Sequence, residues 1–379
     1  MADYGQKIKR LSERRKLPRS YTATYDSAES IAAFESITAN LNKAAFTEKW
    51  ETRGKLDSAT RYALGAMQEV DLNYTRICYE TAERVENQLK SGLSKEGINA
   101  SFHLQGSVPL NIHIKGVSDV DLITIDEALL LVDREGIKAS SYPAATRSAL
   151  DVLRTLRNKA ADVLDAAFPA ARVDRSGAKS LKITGGSLPR EVDVVPAIWW
   201  DTSNYQRFQQ EEYRGIAIYD SKNYEYICNL PFLHIKRIED RCDRSFGGLR
   251  KAIRLLKNLR ADAVIDDLHI DLSSYDIASI MYHADISNLS YNRFFELAVL
   301  AETQRWLRYL CDNFSFAQTL YVPNETRKIF EKASMYAELK KLSQITDNLV
   351  RAVVGENDTY GVYGINMDSS RKYLSSLDV

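Results

Sequence analysis

Residues 102–125 read FHLQGSVPLNIHIKGVSDVDLITI, and this stretch sets the terms for the rest of the chain. It joins a glycine-serine pair, Gly106-Ser107, to two aspartates, Asp119 and Asp121, one residue apart in an apolar run of Val120, Leu122, Ile123 and Ile125. The run reads as a β-strand. Successive side chains of a strand alternate faces, so Asp119 and Asp121 project to the same side, about 6 to 7 Å apart. Two carboxylates this close repel unless a cation lies between them, and Mg²⁺ prefers one or two carboxylates plus phosphate oxygens to a cage of protein ligands. Gly106 allows close approach of a ligand to the backbone, and Ser107 offers a hydroxyl and an N–H. The residues point to metal-assisted phosphate chemistry. They also fit a duller pattern, two solvated acids at a strand end and a chance Gly-Ser pair, so other segments have to decide.

The chain has 379 residues, 45% hydrophobic and 27% charged, the composition of a globular protein whose length calls for two cores. Lys plus Arg equals Asp plus Glu at 51 each, so nucleic-acid binding through net charge is not expected. Four cysteines, at 78, 228, 242 and 311, have neither zinc-ligand spacing nor a disulfide pattern and fit reduced thiols. The amino-terminal residues lack an apolar signal core, and no run of roughly 18 apolar residues occurs. The expected location is the cytoplasm, with no membrane partner.

Residues 1 to about 25 are rich in Lys and Arg and read as a solvated arm. From Asp57 or Ser58 a single long helix is predicted, carrying Met67, Val70, Tyr74, Ile77, Val85 and Leu89 and stopping near Gly92. Ser141-Tyr142-Pro143 is read as opening a second helix that stops at Pro169. Residues 172–184 and 191–200 are strand-like, and the latter sets Asp193 among Val192, Val194 and Val195. Beyond residue 230 the pattern turns helical. Leu230–Asp243 opens at Pro231, Leu249–Ala263 carries Arg250, Arg254 and Lys257 as one cationic stripe, and Ser273–Asp276 caps a short helix. Long helices are predicted over about 291–313 and 326–354, followed by a polar tail.

Gly106-Ser107, Asp119-x-Asp121, the strand acid Asp193 in VDVVPA, then SFGGLRKAIRLLKNLR and SSYDIASIMYH occur in an order that resembles the polymerase β-like nucleotidyltransferase superfamily. Within it, the chain is most similar to cyclic GMP-AMP synthase and the bacterial cyclic-oligonucleotide synthases, the CD-NTases. The resemblance covers roughly residues 57 to 310. It implies an α+β fold: a nucleotidyltransferase lobe with a mixed sheet and a long N-terminal spine helix, packed on a C-terminal helical lobe. The expected division is an arm over 1–56, a catalytic lobe over 57–229 and a helical lobe over 230–379.

Carried over by position, the resemblance implies that Asp119, Asp121 and Asp193 hold Mg²⁺, or Mn²⁺, and are catalytic. Ser107 would hold the donor γ-phosphate with Gly106 permitting the contact, Lys257 would grip the triphosphate, and Ser274 and Tyr275 would meet phosphate and base. The residues alone equally allow Lys257 as a solvated member of its stripe, Ser274 as a helix cap and Tyr275 as core. The implied activity joins ribonucleoside triphosphates into a cyclic di- or trinucleotide, releasing pyrophosphate. The product would activate an effector protein in antiphage defence, with room for a regulatory protein partner. The zinc-binding insertion of the animal synthase has no counterpart here, so DNA activation is not expected. Val195 stands where some relatives carry a base-contacting hydroxyl, which leaves base choice open. The rival readings are transfer of nucleotides to RNA, a protein or a small molecule, and nucleotide binding without turnover.

Overall fold

Seven strands form one mixed sheet in a computed structural model that describes residues 3–15 and 48–379. They are β1 (Ala100–Gln105), β2 (Val120–Val132), β3 (Ala171–Asp174), β4 (Leu181–Gly185), β5 (Val192–Asp201), β6 (Arg214–Asp220) and β7 (Glu225–Asn229). The order is β1-β2-β5-β4-β3, with β6 and β7 continuing from the second half of β5. Only β2 and β5 run parallel, and the helix Ala149–Ala167 lies in the connection between them. The α+β expectation holds.

Alternation along β2 and β5 explains how the sheet is covered. Val120, Leu122, Val192 and Val194 point to one face and bury against the helices Leu72–Lys95 and Ala149–Ala167. Ile123, Ile125, Val195, Ala197 and Trp199 point to the other and form a separate apolar group with Ile216 and Ile218. Asp121 and Asp193 share this second phase at the start of their strands.

A larger apolar cluster surrounds the helix Gly248–Asp262, whose Leu249, Ile253, Leu255 and Leu256 are wholly buried. Around it pack Ala59–Met67, Ser274–Tyr282, Ala298–Asp312 and Ser334–Asn357. The tail is partly ordered by the helix Met367–Leu374, whose Leu374 enters the same core.

Several elements differ from expectation. The predicted spine is two helices, Ala59–Met67 and Leu72–Lys95. Gln68 is extended, and the Asp71 side chain accepts hydrogen bonds from Asn73 and Tyr74, so an internal acid starts a new helix. The second helix begins at Ala149, not Ser141; residues 139–141 form only a 3₁₀ turn. The run 172–184 is a hairpin of β3 and β4. The late helices start at Ala298 and Ser334, after a 3₁₀ turn and a loop respectively. Strands β6 and β7 were not anticipated.

The solvated-arm reading fails for the part of it that is described, while residues 16–25 lie outside the described residues. Tyr4–Arg15 is a helix with Tyr4, Ile8 and Leu11 on one face, and Leu11 is buried in the helical core. Three of its basic residues, Lys7, Arg10 and Arg14, are paired. Lys7 bonds Asp266 at 2.5 Å, and Arg14 forms a two-pronged contact with Asp262, which also accepts from the Tyr62 hydroxyl.

Candidate active site

The sheet places the acids by register. Asp121 on β2 stands opposite Asp193 on the parallel β5, Lys182 on β4 stands opposite Asp193 on its other side, and Gln105 at the end of β1 stands opposite Asp121. Lys182, Asp193, Asp121 and Gln105 therefore form one row across four strands, each step about 4.8 Å. Asp119 lies just before β2 and extends toward the same row.

Gly106 follows Gln105 with φ +80°, and a Cβ there would sit 2.0 Å from Asp121 Oδ2. The chain turns over the carboxylate so closely that only glycine fits. Ser107 comes next, and its backbone carbonyl accepts from Ile112, closing residues 107–112 into a compact turn.

The cationic stripe holds the loop between Gly106 and Asp119 from behind. Arg250 Nε donates to Leu110 O at 3.1 Å, Arg254 NH1 to Asn111 O at 2.6 Å, and Lys257 Nζ to Ile112 O at 2.9 Å and Ser118 Oγ at 3.1 Å. Arg254 also bonds Met67 O at 2.9 Å, tying the loop to the end of the helix Ala59–Met67. Buried carbonyls need donors, and one helix face supplies them in sequence. Lys257 is only 1% exposed, so the structure fits neither a solvated stripe nor a lysine on the cavity wall. Burial, with Arg260 and Arg254 nearby, lowers its ammonium to about 7 against the pull of Asp121.

A cavity of about 370 Å³ opens between the sheet edge and the helical side. Gly106, Ser107, Asp119, Asp121 and Asp193 line one wall, and Ser274 and Tyr275 the facing one, with Asn229 and His234 beside them. Seven of the eight expected site residues thus share one space; Lys257 lies behind it. The N-cap of Ser274–Tyr282 is Ser273, in a reciprocal capping box with Asp276, which leaves Ser274 free of that duty. Tyr275 is half-buried, stacks on His234 at 4.4 Å and donates to Asn324 Oδ1 at 3.1 Å. Burial lowers His234 to about 4, so it is neutral.

Electrostatics mark the acid cluster as a place for cations. Burial, then repulsion from Asp193 and Asp119, raises Asp121 to about 7. Burial also raises Asp193, despite Lys182. Lys182 Nζ lies 2.5 Å from Asp119 Oδ2, 3.4 Å from Glu191 Oε2 and 3.7 Å from Asp193 Oδ1. Burial would lower its ammonium, but the hydrogen bond it donates to Asp119 and the charge of Asp193 hold it well above the usual lysine range. Among the described residues no three His, Cys, Asp or Glu side chains close on one point as a complete metal cage would. The donor set nevertheless fits Mg²⁺: hard oxygen donors, a buried Asp193 Oδ1 lacking a hydrogen bond, and an ammonium already drawn to the spot. Ligands from a nucleotide would complete the shell.

Lys182 is the main residue that reading the sequence missed. Its strand was recognisable, but its register against Asp193 on β5 was not. Asn229 and His234 were missed because β7 and the first turn of Pro231–Arg244 meet the cavity only in three dimensions.

Comparison with known proteins gives the family. The model of the cGAS/DncV-like nucleotidyltransferase C-terminal helical domain matches residues 236–353. A cyclic dinucleotide synthase CdnE of Yersinia aleksiciae is 53% identical over 332 residues, covering 88% of this chain and 85% of the relative. A c-di-GMP synthase of Capnocytophaga granulosa is 30% identical over 322 residues, covering 78% and 89%. The solved structure of a STING-associated CdnE c-di-GMP synthase from Capnocytophaga granulosa superposes with a TM-score of 0.66 at 26% identity, covering 92% of this chain and 97% of that one. The fold and the site define a nucleotidyltransferase. The chain belongs to the cGAS/DncV-like nucleotidyltransferases, the family of the bacterial cyclic-oligonucleotide synthases. No helix among the described residues is long and apolar enough to cross a membrane.

Proposed function

We propose that this enzyme condenses two ribonucleoside triphosphates into a cyclic dinucleotide in a Mg²⁺-dependent reaction. The observation that carries the reading is that Asp119, Asp121 and Asp193 line one cavity with Gly106-Ser107, Asp121 and Asp193 side by side in register. In each of two steps a ribose hydroxyl oxygen attacks the α-phosphorus of a triphosphate. The new P–O bond replaces the bond to the β-phosphate, and pyrophosphate leaves. Mg²⁺ bound to the acids would neutralise the triphosphate and acidify the attacking hydroxyl. Asp193 would help to activate the attacking hydroxyl by taking its proton.

The other residues bind and orient. Ser107 offers its hydroxyl and N–H to the γ-phosphate, and Gly106 keeps the backbone against Asp121. Ser274 meets phosphate from the opposite wall, and Tyr275, held by His234 and Asn324, gives a base a flat surface. Lys257 acts from behind, fixing Ser118 and so the approach of Asp119. The cyclic dinucleotide would act as a second messenger in antiphage defence by activating a separate effector, a role supported by the STING-associated relative. Location in the cytoplasm follows from nucleoside triphosphates as substrates.

Incubation with labelled triphosphates, then phosphatase, tests the activity. A cyclic product keeps its phosphate label; a linear product loses a terminal one, and that result would replace this reading with simple chain addition.

A further inference from the structure

We propose that Lys182 is a resident counter-ion of the acid cluster, holding Asp119 where a divalent ion would otherwise hold it, so that metal binding requires Lys182 to release that carboxylate. The inference rests on the proposed reading of Asp119, Asp121 and Asp193 as the metal site.

The geometry supports an exchange. Lys182 contacts three carboxylates at once, Asp119, Glu191 and Asp193, which no ordinary surface pair does. Its strand fixes it opposite Asp193, at the end of the row that runs through Asp121 to Gln105. Asp119 Oδ2 is turned to the β4 side, 2.5 Å from Nζ. With Asp119 engaged there, no third carboxylate among the described residues joins Asp121 and Asp193 at a common point.

The side chain of Lys182 is 36% exposed and the ammonium stands on a flexible four-carbon stem, so it can swing into solvent without unfolding anything. A cation of charge two with triphosphate oxygens outcompetes a single ammonium, whereas the bare ion competes less well. Lys182 would therefore keep the metal from settling before the nucleotide arrives. It is a positioning residue, acting through Asp119.

Binding of Mn²⁺ alone, without nucleotide, tests this by calorimetry on the wild type and on Lys182→Met, Lys182→Gln, Lys182→Arg and Asp121→Asn. Removing a unit charge and a competitor should tighten Mn²⁺ binding about tenfold or more in the Met and Gln variants. The Arg variant, which keeps the charge, should bind like wild type, and Asp121→Asn should lose binding. The metal-free Met and Gln variants should also melt at lower temperature and recover on adding Mn²⁺. If both bind Mn²⁺ no more tightly than wild type while Asp121→Asn loses it, the role of Lys182 is overturned and the metal site stands. If Asp121→Asn binds as wild type does, the metal-site reading itself fails.

Discussion

Gly106 and Asp121 are in such close contact that a single methyl group on the glycine would lie 2.0 Å from the carboxylate oxygen. The turn before the loop and the central acid of the sheet are therefore one unit: the backbone carrying Ser107 rests on the residue that anchors the acid cluster. The positive φ of Gly106 adds a second reason against any side chain there.

Gly106→Ala should accordingly inactivate the enzyme by about a hundredfold or more, because a displacement near 1 Å at the reacting centre is enough for that. Backbone strain at a positive φ costs about 1–3 kcal/mol, so the fold should survive. Pyrophosphate release and circular dichroism on the same sample separate the two effects; near-normal activity would show that the contact relaxes freely.

Asp121→Asn should stabilise the metal-free protein above neutral pH while abolishing activity. With its folded-state value raised to about 7, Asp121 binds a proton more readily folded than unfolded. Its contribution to stability is then present at low pH and is lost as pH rises from about 4 to about 7. The amide removes that loss, on the order of a few kcal/mol at pH 8 and little at pH 4. Melting in chelator at the two pH values checks it, and an equal effect at both would contradict the repulsion.

Lys257→Met keeps the buried stem but removes the bonds to Ile112 O and Ser118 Oγ. Two lost hydrogen bonds should cost about 1–3 kcal/mol. Turnover should fall further than stability implies, because Ser118 precedes Asp119. Urea unfolding paired with kcat at saturating substrate measures the split.

Asp262→Ala should be the most destabilising of these changes. The acid is wholly buried and answers Arg14 and Tyr62, so its loss leaves a guanidinium without its counter-charge, at about 3–5 kcal/mol. Urea unfolding should show it, and proteolysis should then cut near the helix Tyr4–Arg15.

The elements that reading the sequence placed well are those whose signals are local. Asp119 and Asp121 sit in an apolar alternation, Pro231 opens a helix, and Ser273 with Asp276 forms a capping box, all visible within a few residues. What stayed hidden depended on distant partners. Lys182 looks like any strand lysine until register sets it opposite Asp193. The stripe Arg250, Arg254 and Lys257 has the spacing of a solvated face, and only the fold lays the loop 110–118 over it. The basic residues of Tyr4–Arg15 likewise suggested an arm because Asp262 and Asp266 lie about 250 residues away in sequence. The break at Asp71 was missed because apolar spacing continues across it.

The central claim is that Asp119, Asp121 and Asp193 act as one catalytic centre, and pyrophosphate release by the three single Asn variants and the Asp121→Asn/Asp193→Asn double variant tests it most directly. Residues acting as a unit are non-additive. Each single variant should fall by about a thousandfold or more, with the double variant scarcely lower than either of its singles. An Asp193→Asn enzyme with near-normal turnover, or losses that multiply in the double variant, would contradict it.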